Sequence, residues 1–141
     1  MTSQAEYAVS ALVELALAPQ GESLRSPEIA RRLDIPAASL EQVMVRLRRH
    51  GFVRSFRGAS GGYALAHAAE DIVLAEVLGV FLPTRDDKRP GPPDVIVRQV
   101  VREQLDGLES TLATAAGQLR LSHLAEQARS RNDAMAYMPG L

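Results

Sequence analysis

The sequence predicts a mainly α-helical fold with one small β-hairpin and one long helix in its C-terminal third. Three observations support this prediction. Before residue 51, apolar residues recur at helical spacing in three successive short segments. From residue 52, the apolar pattern changes to that of two short strands around a glycine-rich turn. After a proline-rich segment, apolar residues repeat with alternating gaps of four and three, which indicates a long amphipathic helix.

The three N-terminal helices are each defined by an apolar face and by residues that start or end a helix. On the first helix, the predicted inward-facing residues are Val9, Leu12, Val13 and Ala16. Ser26 is the predicted N-cap of the second helix, and Pro27 suits its first turn. On the third helix, the predicted buried stripe is Leu40, Val43, Met44 and Leu47. Gly51 is expected to end that helix in the left-handed conformation.

A β-hairpin is predicted to follow the third helix. Its strands are expected over residues 52–56 and 63–66, with a turn over Gly58–Gly62. A short apolar helix is predicted from Ile72 to Phe81. Three helices followed by a hairpin, the wing, is the element order of a winged helix-turn-helix, whose recognition helix enters the DNA major groove.

Positive charge is concentrated on the third helix and the hairpin, although the whole chain has 16 basic and 17 acidic residues. No Asp or Glu lies between Glu41 and Glu70, whereas this interval contains Arg46, Arg48, Arg49, Arg54 and Arg57. A cluster of arginines beside a glycine-rich turn suits a phosphate backbone. Aromatic residues are few and Trp is absent, which disfavours single-strand binding through stacked bases. The predicted partner is therefore double-stranded DNA.

On the third helix, the candidate base contacts are Ala38, Ser39, Glu41 and Gln42. Gln42 can bond an adenine edge with two hydrogen bonds, and Glu41 can accept one from a cytosine amino group. Farther along the helix, Arg46 and Arg49 are candidate phosphate contacts, although a solvated helix face is the alternative explanation for these arginines.

In the hairpin, Arg54 is a candidate phosphate contact, and Arg57 could enter a narrow minor groove. Gly58, Ser60 and Gly61 are candidate positions where the turn backbone approaches DNA, and Gly62 shares the positive φ expected of Gly58 and Gly61. An ordinary hairpin turn is the alternative explanation for these glycines.

The long helix carries a heptad seam that is expected to pair with a second copy of the chain. The seam consists of Val101, Leu105, Leu108, Leu112, Ala115 and Leu119. Docking of this stripe on its own domain is the alternative. The predicted organisation is a DNA-binding domain over residues 1–82, a proline-rich linker over 83–94, a dimerisation helix over 95–128 and a frayed tail over 129–141.

The third helix and the hairpin also carry a resemblance to a known family. The residues concerned are Leu40-Glu41-Gln42, Arg46-Leu47-Arg48, Gly51-Phe52-Val53, Ser55, Arg57-Gly58 and Gly61-Gly62-Tyr63. From about Tyr7 to Val80 the chain resembles the Rrf2 family of winged-helix transcription regulators. The resemblance implies a homodimer on a palindromic operator, with base or groove contacts at Glu41, Gln42 and Arg57. It does not extend to Ala38 and Ser39, where similar members have a serine and an aromatic residue.

The resemblance does not predict the family's common cofactor here. Many members hold an iron–sulfur cluster on three cysteines before the dimerisation helix, but this chain has no cysteine, and residues 83–99 contain no histidine. Asp86, Asp87 and Asp94 are better explained as part of a solvated loop than as metal ligands. We predict no cofactor and no metal. A small-molecule effector, if one is used, is expected between the winged domain and the long helix, near Leu78, Phe81 and Val97.

Other classes of protein fit the sequence less well. The turn Gly58–Gly62 matches G-x-S-x-G, but a hydrolase needs a helix after that turn, and a strand is predicted there. No catalytic residue is therefore assigned, and no enzyme is expected. No signal peptide or membrane span is recognisable, so the expected location is cytoplasmic and no membrane partner is expected. The predicted function is that of a sequence-specific transcriptional repressor, and a protein-docking module is the alternative.

Overall fold

A computed structural model describes residues 3–59, 61–81, 91 and 94–136. These contain six α-helices: α1 Ser3–Leu17, α2 Ser26–Leu33, α3 Ala37–Arg49, α4 Leu74–Phe81, α5 Ile96–Gln118 and α6 Leu121–Ala136. Strands β1 (Val53–Phe56) and β2 (Gly62–Leu65) form an antiparallel hairpin, and a short 3-10 helix spans Ala69–Asp71. The predicted mainly α fold with one hairpin is confirmed. None of the described helices is long and apolar enough to cross a membrane.

Helix α1 is the centre of the core, and it contacts α2, α3, α4, α6 and β2. Its buried residues are Ala5, Ala8, Ala11, Leu12 and Leu15, and all but Leu15 are completely inaccessible. The predicted inward face is confirmed in part: Leu12 is fully buried, and Val9, Val13 and Ala16 are partly buried and pack against the core. The small alanine side chains let neighbouring helices approach α1 closely. The larger Val9 and Val13 lie on the flank of the helix and are only partly covered.

Helix α2 begins differently from the prediction. Its N-cap is Arg25, whose carbonyl accepts the backbone N–H groups of Glu28 and Ile29, and Ser26 is the first helical residue. The hydroxyl of Ser26 does not cap the helix. It donates a hydrogen bond to the Glu41 carboxylate at 2.5 Å. The helix ends at Asp34, which adopts a left-handed conformation with φ of 54°.

Helix α3 follows the prediction. Its buried residues are Leu40, Val43, Met44 and Leu47. Gly51 has a φ of +79°, and the N–H of Phe52 bonds back to the carbonyl of Leu47 at 3.0 Å. This arrangement ends the helix as expected and turns the chain directly into β1.

The hairpin is supported from the α1–α2 connection. Leu24 and Tyr63 form an isolated antiparallel bridge, with N–O distances of 2.9 and 2.7 Å. At this crossing Gly62 has a φ of +130°, and a Cβ on it would lie 2.5 Å from the Leu24 carbonyl oxygen. Only glycine at this position therefore allows the segment around Leu24 to pair with the hairpin as a third strand-like segment.

Positive φ values occur at Gly58 and Gly62, as predicted, but not at Gly61. Gly61 is buried, and a Cβ on it would lie 2.8 Å from the carbonyl oxygens of both Phe56 and Gly58. Its requirement for glycine therefore comes from crowding inside the turn. Ser60 lies outside the described residues.

Helix α4 begins at Leu74, two residues later than predicted. The preceding residues are extended because they pair with a later part of the chain: Leu74 N–H donates to the Leu119 carbonyl, and Leu121 N–H donates to the Ile72 carbonyl, both at 2.9 Å. Val73 and Arg120 are the bridge partners between these bonds. We call the pairing of residues 72–74 with 119–121 the clasp.

The predicted single helix over residues 95–128 is two helices separated by the clasp. Helix α5 ends at Gln118, and Leu119 is extended, with a ψ of 128°, rather than part of a continuous helical seam. Helix α6 then returns to the core, where Leu121 is fully buried and Ala125 is 4% exposed. Residues 129–136, expected as a frayed tail, are the end of α6. The linker residues 83–90, 92 and 93 lie outside the described residues, and the division into domains stays a prediction.

We expect Gly62→Ala to lower the free energy of unfolding by at least about 2 kcal/mol, because the new Cβ clashes with Leu24 at a φ that side chains avoid. Gly79→Ala is the control: Gly79 is an exposed position of α4, and no atom lies within 4 Å of the place that an added Cβ would take. That change is expected to stabilise the protein by about 0.5–1 kcal/mol. Urea unfolding at one fixed protein concentration measures both, and equal stabilities for Gly62→Ala and wild type would contradict the crossing.

Candidate nucleic-acid interface

The N-terminal half of α3 presents the residues that the sequence assigned to base contacts. Ala38, Glu41 and Gln42 are exposed, and Ser39 is half-buried. Their position follows from the buried stripe on the opposite side of the helix, where Leu40 is fully buried. The helical repeat therefore turns a short, mostly polar patch to solvent at the start of α3.

Two hydrogen bonds fix this patch against α2 and the hairpin. The Glu41 carboxylate accepts the Ser26 hydroxyl at 2.5 Å and the Tyr63 hydroxyl at 3.4 Å. Burial raises the pKa of Tyr63, and the negative charge of Glu41 raises it further. Tyr63 therefore stays a neutral donor at physiological pH. The sequence assigned Glu41 to base contact alone, whereas the structure also places it between three elements.

A further residue of the surface, Arg25, was missed by sequence analysis. Its guanidinium Nη2 donates to the carbonyls of Gly58 at 2.6 Å and Ala59 at 3.2 Å, across 33 residues of chain to Gly58. Beside it, the Ser23 hydroxyl donates to the Gly61 carbonyl at 3.2 Å. The start of α2 thus holds the turn of the hairpin. No local pattern in the sequence links Arg25 to a turn so far along the chain.

The candidate phosphate contacts fall into two groups. Arg46 is half-buried: it donates to the Val80 carbonyl at 2.5 Å and to the Gln4 side chain at 3.1 Å, and its guanidinium carbon lies 4.6 Å from the centre of the Phe81 ring. These contacts tie α3 to α1 and to the end of α4. The geometry therefore supports a positioning role for Arg46 within the protein.

The second group is exposed and consists of Arg48, Arg49, Arg54 and Arg57. Arg32 differs from them, because it pairs with Glu14 at 3.6 Å and with Glu28 at 2.8 Å. The four exposed arginines carry their charge toward solvent without an acidic partner among the described residues. The predicted candidates Arg49, Arg54 and Arg57 belong to this group, as does Arg48, which was noted in the charge cluster but not assigned a contact.

Helix α5 presents the predicted seam without a cover. None of its residues is buried, and Val101, Leu105, Leu108 and Leu112 are 50, 54, 60 and 70% exposed. Ala115 is exposed as well, and Leu119 lies in the clasp at 44% exposed. The alternative that this stripe docks on its own domain is therefore not what the single chain adopts. An exposed apolar stripe of this length is typical of an interaction surface.

A family model described as Rrf2, iron-dependent transcriptional regulator, matches residues 1–127. The residues of this chain do not fit an iron–sulfur cluster, because the sequence contains no cysteine to supply thiolate ligands. The part of the chain that the structure describes also contains no group of three His, Asp or Glu residues placed to hold a metal ion.

Curated relatives include an HTH-type transcriptional regulator of Mycobacterium tuberculosis, which is 34% identical over 91% of this chain and 88% of its own length. The regulator IscR of Cereibacter sphaeroides is 42% identical over 55% of this chain and 52% of its own length. A Synechocystis HTH-type regulator is 40% identical over 57% of this chain and 55% of its own length. The match thus spans about half the length of the latter two relatives.

Solved structures have the same fold. T. potens IscR superposes with a TM-score of 0.75 at 25% identity, covering 100% of this chain and 93% of that one. Staphylococcus aureus CymR has a TM-score of 0.71 at 23% identity, covering 89% and 97%, and supports the fold alone. The predicted winged helix-turn-helix is confirmed by these neighbours. With its family model, its relatives and its fold in agreement, the chain belongs to the Rrf2 family of DNA-binding transcriptional regulators, which are not enzymes.

Proposed function

We propose that this regulator acts in the cytoplasm as a homodimer that represses transcription by binding a palindromic operator, without an iron–sulfur cluster. One observation carries the proposal: the start of α3 and the hairpin form one surface through the bonds of Glu41 to Ser26 and Tyr63. On that surface Gln42 and Arg57 are exposed, and Arg57 has no acidic partner among the described residues. A base-reading helix and a groove-reading turn thus have fixed relative positions.

Sequence would be recognised mainly by Gln42, Glu41 and Arg57. Gln42 matches the donor and acceptor of an adenine edge, and the Ala38 methyl group suits a thymine methyl. Arg57 precedes the turn and suits a narrow minor groove, where the negative potential of DNA is strongest. The Glu41 carboxylate already accepts hydrogen bonds from Ser26 and Tyr63. To contact a cytosine amino group, it must accept a further hydrogen bond or give up one of these two.

Affinity would come from phosphate contacts of the exposed arginines Arg48, Arg49 and Arg54, together with the hairpin backbone. Each such contact releases counterions from DNA, so binding should weaken steeply with salt. We assign Arg46 to positioning because its guanidinium is occupied by Val80, Gln4 and Phe81.

The dimer would form through α5. Its exposed apolar stripe, with Leu105, Leu108 and Leu112 at the centre, can be buried against the same stripe of a second copy. A two-fold axis through this contact places two recognition surfaces in opposite orientation, which matches an inverted repeat. Repression then requires only that the bound dimer occupy DNA that the polymerase needs.

Arg57→Ala is expected to weaken binding to the selected operator by about 1–3 kcal/mol and to reduce the salt dependence by about one unit. The operator is first obtained by selection from fragmented genomic DNA. Arg131→Ala, an exposed α6 position outside the candidate surface, is the control and should bind like wild type. Recovery of unrelated fragments by wild type and Arg57→Ala alike would contradict sequence recognition and favour a protein-docking function.

Arg25→Ala is expected to reduce operator affinity about tenfold while leaving the midpoint of urea unfolding nearly unchanged. The reason is that loss of the bonds to Gly58 and Ala59 frees the turn but leaves the core intact. Faster amide hydrogen exchange in the turn provides an independent measurement. Arg31→Ala, exposed on α2, is the matched control, and an equal affinity loss in both variants would assign Arg25 to charge alone.

Leu108→Arg is expected to convert the dimer into monomers, because it places a charge in the centre of the seam. Sedimentation equilibrium measures the change in mass. Ser110→Arg is the control, since two residues farther along the helix the side chain points about 160–200° away from Leu108. Monomeric wild-type protein at micromolar concentration, or equal behaviour of the two variants, would refute the α5 interface.

A further inference from the structure

We infer that a groove between α1, α4 and α6 is a binding site for an organic cation with an aromatic or alkyl body. The groove has a volume of about 510 Å³, which is within the range of small-molecule sites. It is open to solvent, and none of its lining residues belongs to α3 or to the hairpin. Beside Leu17 and Leu33, the apolar floor includes six side chains of α1, α4 and α6: Val9, Val13, Leu74, Leu78, Leu124 and Ala128.

The floor is apolar surface that the single chain leaves partly uncovered. All six of these side chains are only partly buried, although Val9, Val13 and Leu78 pack against the core. The fully buried face of α1 begins one residue away from each valine, at Ala8 and Leu12. The fold therefore forms the walls of the groove from rigid helices without filling it.

Among the described residues, the charged side chains that line the groove are both acidic. Glu6, Ser10 and Glu14 lie on one face of α1, and the positions of Glu6 and Glu14 are about 12 Å apart along the helix axis. No Lys, Arg or His lines the groove within the described residues. Asn132 of α6 adds an uncharged polar group at the opposite wall.

Among the described residues, only one of the two carboxylates has a basic partner. Glu14 meets Arg32 at 3.6 Å, whereas Glu6 forms no ion pair with the residues that the structure describes. An apolar floor next to one uncompensated carboxylate is complementary to a molecule with an apolar body and a positive head. An anion of the same shape would be repelled, and a neutral molecule would gain only the apolar contact.

This site differs from the effector site expected from the sequence. Leu78 lies in the groove as expected, but Phe81 is 6% exposed and stacked with Arg46, and Val97 is 70% exposed on α5. The ligand would therefore lie against α6, not against the long helix. Binding rests on the groove alone, whereas any effect of the ligand on transcription rests on the proposed function.

The groove can be coupled to DNA binding through α1. One face of α1 lines the groove, and the helix also packs against α3, where Gln4 accepts a hydrogen bond from Arg46. A ligand that prefers one spacing of α1 and α4 would bias the position of α3. The size of the effect is limited by the difference in ligand affinity between the two positions.

The test is calorimetric titration of the full chain with 4-phenylbutylamine, 4-phenylbutanol and 4-phenylbutyrate, which share a body and differ in head-group charge. We expect the amine to bind most tightly and the carboxylate most weakly. Glu6→Gln should weaken the amine about fivefold and leave the alcohol unchanged. Glu126→Gln removes a carboxylate of α6 outside the groove and should change neither.

Ala128→Phe provides a second variant, because it fills the groove from an α6 position that is only partly buried. It should abolish amine binding without changing the mass of the protein in solution. Equal affinity for the three probes, or no measurable binding, would overturn the inference. Dissociation of a dimer by Ala128→Phe would also overturn it, since a second copy would then cover the groove. Operator affinity is measured separately without ligand. If the protein fails to bind an operator, the proposed function is contradicted, whereas the result of the ligand titration still stands.

Discussion

Close packing around α1 is the constraint on which the other elements depend. Four helices and β2 contact this one helix, and three of its five buried residues are alanines. A larger side chain at Ala5, Ala8 or Ala11 would push its neighbours apart, because the interior has no space to absorb the added volume. The exposed patch of α3 therefore depends for its orientation on small residues of a helix that is not itself part of the candidate DNA-binding surface.

The sequence predicted the features that local periodicity determines. The stripe of α3 and the left-handed Gly51 follow from neighbours within one or two turns, and both were predicted correctly. The roles of Arg25 and Arg46 depend on partners 33 and 34 residues away, so no local pattern could reveal them. The helix break at Leu119 was missed for the same reason, since the apolar repeat continues through it while the clasp pairs it with Leu74.

The arginines of this chain have separate tasks that composition alone does not distinguish. Arg25 and Arg46 donate to backbone carbonyls and hold the hairpin and α3 in place. Arg49, Arg54 and Arg57 remain exposed at the surface. The number of arginines in the sequence therefore overestimates how many guanidinium groups are available to contact DNA. Hydrogen bonds from a charged group to a carbonyl are stronger than neutral ones, so these two guanidinium groups are held at protein acceptors and not at phosphates.

The return of α6 to the core has a consequence for how the protein is made. Leu121 and Ala125 complete the packing around α1, yet α5 and the clasp separate them from α4 along the chain. During synthesis the ribosome delivers residues in order, and the N-terminal helices emerge first. The apolar side of α1 that α6 covers therefore stays uncovered until α6 has left the exit tunnel. The packing around α1 is thus completed only after α6 has been synthesised, so the candidate DNA-binding elements emerge before the core that positions them is complete.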